Sequence, residues 1–469
     1  MLGPSSVRRT EIKAAKVRIS EALVVGVRQI KQFYALFTVH RPFRWAWTGS
    51  TFSMLSTRTL GVTYPLLAFT ITGSSAYIGW VMFASTVPGL LCYIPAGALI
   101  DRLGPRRVLV WSETGRALLV AGLCVVMVSG SLQIAHLMAF ALAEGVLSVL
   151  SSVAETALIP RTVEPDDVGL ALSMHETTLQ GVVLAGRPLG GLLYGMGPLV
   201  PFIANAGTFL FAGLVLRRLP KERAPDTTAR DKLLNQIRAG LSELWRHPFL
   251  RSATIITALT NLMVQCLIVV FLSAATADAL HPVLVGTILA AAGVGGVIGA
   301  FISPVRQQIL RRIERRSAQH ELAAALTQWM GLSRRRRSMM LVHVWACVAA
   351  LGLTLAGRQS WLAFAAALLV IGLAGGLSNV TMRTVLSRVP ADKNARVVSA
   401  SRLGTYSAVA LGPLLATLLF TGVQPQISLF ILFVFTTVLA VAVTAVPGIR
   451  NSLSSSPATS SGAQPVEGI

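Results

Sequence analysis

Twelve stretches of the sequence are apolar over about 20 residues each, the length of helix that crosses a hydrocarbon layer of ~30 Å. They run roughly over 45–70, 77–100, 108–129, 132–158, 169–196, 200–217, 252–275, 282–303, 339–357, 360–385, 397–420 and 426–448. A chain of 469 residues would otherwise suggest about three soluble domains of ~150 residues. Composition excludes that partition, because charged residues make up 13% of the chain and hydrophobic ones 53%, whereas a soluble protein carries roughly 25% charge. With a mean hydropathy of +0.66, a soluble particle of 49.8 kDa would lack the polar surface to cover its core. The sequence therefore predicts an all-α membrane protein of twelve transmembrane helices.

Lysine and arginine number 41 against 19 acidic residues, a net charge of +22 that in a soluble chain would point to nucleic acid. Placement decides otherwise. Nine basic residues fall in 1–44, nine in 217–251 and nine in 305–338, and nearly all remaining loop bases lie on the same side of the spans. By the positive-inside rule that side is cytoplasmic. Both termini then lie in the cytoplasm, the chain is a multi-pass protein of the cell membrane, and no nucleic acid is expected as a partner. The first 44 residues lack an apolar core followed by a small-residue cleavage site, and read as a cytoplasmic leader. Cys92, Cys124, Cys266 and Cys347 sit in apolar stretches without CxxC spacing, as expected of buried, reduced thiols.

The two halves of the chain echo each other. Gly97–Asp101 (GALID) recurs as Gly299–Ser303 (GAFIS), and Gly186 aligns with Gly412. The two offsets differ by about 24 residues, which places an insertion in the basic segment 305–338. The expected organisation is a leader over 1–44, a six-helix half over 45–217, a linker over 218–251, a second six-helix half over 252–448 and a disordered tail over 449–469. Within the linker, 233–245 places Leu233, Ile237, Leu241 and Leu244 on one helical face, suited to lie along the membrane surface. The block Arg334–Arg337 reads either as a topology anchor or as a contact for anionic lipid. Gly295 with Gly299, and Gly372 with Gly376, have the spacing of small residues at helix contacts.

Enzymatic motifs are missing. The sequence contains no GxxxxGK[ST], HExxH or GxSxG, and His175-Glu176 has no second histidine four residues on. No cofactor, no metal site and no enzymatic activity are expected.

The cytoplasmic turn between spans 2 and 3, GALIDRLGPRR, carries glycine, acid and bases together. It resembles the signature of the major facilitator superfamily, with Gly97, Asp101, Arg102, Gly104, Arg106 and Arg107 in place. TITGSSAYIG at 70–79, ALIPRTVEPDD at 157–167, GRPLGGLL with PFIANA at 186–206 and GLSELWRHPFLR at 240–251 extend the resemblance toward the drug/proton antiporter branch that holds macrolide and enterobactin exporters. The resemblance implies two pseudo-symmetric six-helix bundles and a latch role for Gly97, Asp101, Arg102, Gly104 and Arg107, with Asp101 docking on span 11 to close the cytoplasmic side. The other reading of Asp101 is a solvated loop charge. A helix-bending motif is implied at Gly186, Pro188, Gly190 and Gly191, and at Gly412 and Pro413. Independently of the family, Gly97 would permit close helix approach, and Gly104 a left-handed turn.

An ionisable group at mid-bilayer costs at least ~2.5 kcal/mol, so each one within a span is a candidate site. At ~1.5 Å per residue, Arg58 and Glu144 both lie ~18 Å into their spans, near the midplane. Since spans 1, 4, 7 and 10 line the cavity in the resembled superfamily, this pair is expected to face across it, as a proton-coupling site or as a static ion pair. Glu113 and Arg116, one helical turn apart, are expected to form a structural ion pair. His175 and Glu176 are secondary proton groups or interfacial residues. Arg187 attracts an anionic substrate or snorkels outward. In the second half, which has no carboxylate in a span, Asn261, Gln265 and Asn379 are polar cavity contacts.

The expected function is proton-coupled efflux of a drug-like or siderophore-like small molecule by alternating access, with small-molecule substrate, protons and membrane lipids as partners. Import of a nutrient, or an uncoupled lipid-handling or sensory role, are the alternatives.

Overall fold

The computed structural model describes residues 36–220, 241–246, 248–317, 337–357, 360–386 and 391–445. Most of the leader, most of the linker, the basic block apart from Arg337, and the tail fall outside the described residues. Among the described residues there is no strand, and a helix stands at each of the twelve expected positions. In chain order these are α1 (Arg41–Thr72), α2 (Ala76–Leu91) with its continuation α3 (Tyr93–Leu103), α4 (Pro105–Val128), α5 (Ile134–Leu158), α6 (Val168–Gly195) and α7 (Val200–Leu216). The second half holds α8 (Pro248–Ala277), α9 (Pro282–Ser317), α10 (Arg337–Ala356), α11 (Trp361–Leu386), α12 (Ala391–Phe420) and α13 (Pro425–Ala445). Eight of them are long and apolar enough to cross a membrane on those criteria alone, and α2 with α3, bent by 62°, makes a ninth. Val200–Leu216 is shorter, while α1 and α6 carry the polar residues described below.

The bend falls inside the expected second span, between Leu91 and Pro95, and the signature turn follows α3 at Gly104. Gly104 has φ +83°, a conformation that glycine enters without a Cβ clash, and Pro105 then starts α4 at a position that needs no backbone N–H. Gly97 departs from expectation: nothing lies within 4 Å of where its Cβ would stand, so the close helix approach is not made there in this conformation. The Asp101 carboxylate is exposed.

Packing repeats between the halves. Helix α6 lies on α1 as α12 lies on α8. Gly186 sits against the Arg58 Cβ and Gly412 against the Gln265 Cβ, in both cases closer than any added Cβ would allow. The following residue of each pair donates to the same carbonyl, Thr59 Oγ1 to Gly186 O at 3.4 Å and Cys266 Sγ to Gly412 O at 3.3 Å. The expected alignment of Gly186 with Gly412 is thus also a three-dimensional one. Cys266 and Cys347 are buried as expected, but Cys92 and Cys124 are only half-buried, because the helix faces that carry them are not fully covered by neighbours.

Helices α9 and α11 approach through reciprocal glycines. A Cβ on Gly295 would meet the Leu369 carbonyl at 2.0 Å, and one on Gly372 the Ala292 carbonyl at 2.0 Å. Without side chains at these positions the backbones gain the dispersion contacts that hold helices together in lipid, where no hydrophobic drive exists between them.

The apolar core shows how the halves meet. One cluster joins them on the face away from the basic loops, running from Leu60, Ile78 and Phe202 to Phe271, Val285 and Ala416. On the basic face the core is divided, with Ala46, Val108, Leu158 and Leu216 in one half and Phe249, Met340 and Val443 in the other. Leu244, from the helical turn at 241–246, joins the second-half cluster, while Leu241 and Trp245 are exposed. The end of the linker therefore docks on the second half with one side chain of the face expected to meet lipid. Gly79 meets Thr417 and Pro413, and Gly191 meets Pro282 and Gly286, both at the closed face.

Candidate functional site

Helices α4 and α5 bury a cluster of charge. Arg116 is 1% exposed, Glu113 0% and Glu144 5%. Arg116 Nε donates to Glu144 Oε1 at 3.0 Å, and its Nη2 donates both to the same oxygen and to Thr57 Oγ1. Its Nη1 donates to Ser53 Oγ at 2.9 Å and, at 3.4 Å, to Glu113 Oε1. Glu113 Oε1 also accepts from Ser53 at 2.8 Å and from Ser151. The Phe209 ring of α7 covers the guanidinium, with Cζ 3.9 Å from the ring centroid. Every N–H group of this arginine that points into the bundle is thus aimed at an oxygen, as a desolvated cation requires.

The expected pairing of Arg58 with Glu144 is not what the structure contains. Glu144 turns toward α4, and its partner is Arg116, which also makes the expected contact with Glu113. The reason lies in helix phase. Ser53 and Thr57, four residues apart, share the face of α1 that meets the cluster, whereas Arg58, rotated by ~100°, points to another side.

Glu155, not singled out from the sequence, extends the cluster toward the basic face. It lies three turns beyond Glu144 on α5, is 5% exposed, and stands 3.6 Å from His175 Nδ1 of α6. Among the described residues, the Glu113 Oε2 is buried without a hydrogen-bond partner, and the Ser50 hydroxyl stands within reach of Glu155. His175 therefore belongs to this line of polar groups. Three buried carboxyls share one buried arginine, an imbalance that a low-dielectric interior does not tolerate unless protons or His175 offset it.

A second group of polar residues lies where the halves face each other. Arg58 is exposed on α1 and lies within electrostatic reach of Tyr406 and Arg187. Across from it on α12, the Tyr406 ring packs on Tyr93 of α3 with centroids 5.3 Å apart and planes tilted by 33°. Arg402 Nη1, one turn below Tyr406, reaches the Tyr93 hydroxyl at 3.5 Å. Glu176 lies within electrostatic reach of Arg402, and Tyr406 within reach of Arg58. Tyr93, Tyr406 and Arg402 carried no sequence signal beyond being polar groups in apolar spans.

The remaining candidates are dispersed. Arg187 lies within electrostatic reach of Arg58 and does not snorkel outward: its Nη1 donates to the Leu289 carbonyl of α9 at 2.9 Å, tying the two halves together. Gln265 Nε2 donates to Val409 O at 3.4 Å, linking α8 with α12, and Asn261 bonds Thr257 O within its own helix. Asn379 is exposed on α11. A buried pair in the second half, Ser378 Oγ and His343 Nδ1 at 2.8 Å, was not anticipated. An apolar groove of about 610 Å³, lined by Leu118, Phe140, Ala143 and Leu147, lies on the other side of α4 and α5 and holds none of these polar groups.

Two bundles of membrane helices, closed against each other on one face and bearing polar groups between and within them, define a membrane carrier. Residues 46–320 match the family model of the Major Facilitator Superfamily, and the chain belongs to that superfamily. It is 27% identical over 262 residues to the multidrug efflux pump Tap of Mycolicibacterium fortuitum, covering 54% of this chain and 64% of the pump. It is 24% identical over 370 residues to the MFS-type transporter YfiS of Bacillus subtilis (strain 168), covering 74% and 79%. Among solved structures, the nucleoside transporter NupG superposes with a TM-score of 0.60 at 14% identity, covering 86% of this chain and 98% of that one. A bacterial homologue of the iron transporter ferroportin, in its inward-facing state, gives 0.60 at 15%, covering 89% and 99%. The chain is thus a multi-pass transporter of this superfamily, and the match spans somewhat under two thirds of the pump's length.

Proposed function

We propose that this transporter expels a drug-like or siderophore-like small molecule across the cell membrane in exchange for protons, by alternating access. The basic loops mark the cytoplasmic side, so the divided core is the cytoplasmic opening and the joined core the outer closure. The observation that carries the coupling is the surplus of buried carboxyls, Glu113, Glu144 and Glu155, around Arg116. A proton taken up by Glu144 weakens its charge-assisted bonds to Arg116 and frees that side chain to shift its hold toward Glu113 or the α1 hydroxyls. Because Ser53 and Thr57 ride on the helix that presents Arg58 to the cavity, a change in the cluster moves the cavity wall. Similarity to the Tap pump supports export as the direction.

The test is flux through the purified full chain in liposomes, across an imposed pH difference, with Glu113→Gln, Glu144→Gln and Glu155→Gln alongside. Proton movement accompanying substrate in the wild type, with loss of coupling in the Glu144 variant, is expected. Substrate accumulation on the cytoplasmic side overturns the direction, and flux indifferent to all three carboxyls overturns the coupling.

A further inference from the structure

We infer that the substrate is an aromatic anion, held by Arg58 at its charge and by Tyr93 and Tyr406 at its ring. This rests on the transporter reading above but not on its proton coupling. Cavity charge is the first ground. The buried acids Glu113, Glu144 and Glu155 are turned inward among α4, α5 and α6, where Arg116 and His175 meet them. Between the halves stand Arg58 and Arg402, while the acid near them is Glu176, on the Arg402 side. No hydrogen bond or ion pair holds Arg58 among the described residues, so its exposed guanidinium is open to an anion between the halves.

Ring geometry is the second ground. Tyr93 and Tyr406 come from different halves and meet with centroids 5.3 Å apart. Arg402 donates to the Tyr93 hydroxyl, which orients that ring. The two tyrosines offer flat apolar faces with hydroxyls that donate to an acceptor, which suits a planar ring bearing negative charge. A substrate bridging Arg58 on α1 and Tyr406 on α12 touches both halves and is released when they separate. A cationic drug, by contrast, would meet Arg58 and Arg402 with like charge.

The test is equilibrium binding to the full-length protein in detergent by calorimetry, with naphthoate, naphthamide, naphthylmethylammonium and cyclohexanecarboxylate as probes. Naphthoate should bind roughly 10- to 100-fold more tightly than the amide and the ammonium, the range expected for hydrogen bonds to a charged group. Arg58→Gln should erase that preference, Arg58→Lys should keep part of it, and Tyr406→Leu should lower naphthoate to the level of the cyclohexane acid. The wild-type comparison of probes stands even if a variant does not fold. Failure of naphthoate to bind, binding of the ammonium at least as tight, or an unchanged preference in a folded Arg58→Gln overturns the proposal. Arg58-dependent binding without proton-driven flux removes the antiport reading alone, and proton-driven flux of cations alone removes this one.

Discussion

Arg116 Nε and Glu144 Oε1, 3.0 Å apart and both shielded from solvent, join α4 to α5 in the middle of the first half. The bond has no counterpart among the acids of the second half, since no carboxylate lies within its expected spans. The carboxylates of the membrane interior are therefore concentrated in one half of a molecule whose two halves otherwise pack alike.

Removing Arg116 leaves three carboxyls in a low-dielectric interior with no buried cation against them. Arg116→Met should lower stability by about 3–5 kcal/mol, read as thermal unfolding in detergent. The deficit should shrink as pH falls, because protonation discharges the stranded carboxylates; a deficit independent of pH would show that packing on Phe209 dominates.

The glycines of α9 and α11 predict a sharp contrast. Gly372→Val places a Cβ where the Ala292 carbonyl already stands at 2.0 Å, and backbone cannot yield as a side chain can. The folded yield should collapse. Gly352→Ala, whose Cβ would find only the Phe433 ring at 3.5 Å, should be neutral or gain up to ~1 kcal/mol of helix propensity. Equal yields of the two variants would contradict the close approach of α9 and α11.

On the closed face, Gly191 Cα lies 3.2 Å from where a Cβ of Gly286 would stand. A Cβ there would strike backbone, but one on Gly195 would meet only the His281 and Val283 side chains, with Val283 Cγ2 at 3.5 Å, so cysteines at Gly195 and Val283 should cross-link on mild oxidation and stop transport, and reductant should restore it. Continued flux through the cross-linked protein would mean that α6 and α9 do not part during the cycle.

Arg187 should govern how firmly that face stays shut. With its bond to the Leu289 carbonyl removed in Arg187→Met, the resting population should shift toward the outward-open form by roughly tenfold, the effect of one charged hydrogen bond. Slower cross-linking of the Gly195 and Val283 cysteines measures it; an unchanged rate assigns Arg187 to packing alone.

Much of this protein is determined by its sequence alone. Apolar length places the spans, because a helix in lipid must satisfy its own backbone, and loop charge gives the sidedness expected of them. The Gly186 and Gly412 alignment, the Glu113–Arg116 contact at one helical turn, and the glycine pairs of α9 and α11 were legible because each depends on spacing along the chain. The tertiary structure decided the rest. Whether Glu144 answers Arg58 or Arg116 depends on the rotation of α1, α4 and α5 about their own axes, which is set by packing and changes partners within a turn. Glu155 was within reach of sequence reading, as an acid three turns from Glu144 on one face, but its pairing with His175 depends on where α6 lies. Tyr93, Tyr406 and Arg402 come together only because α3 and α12 meet between the halves. A contact across 309 residues of chain leaves no periodicity to read.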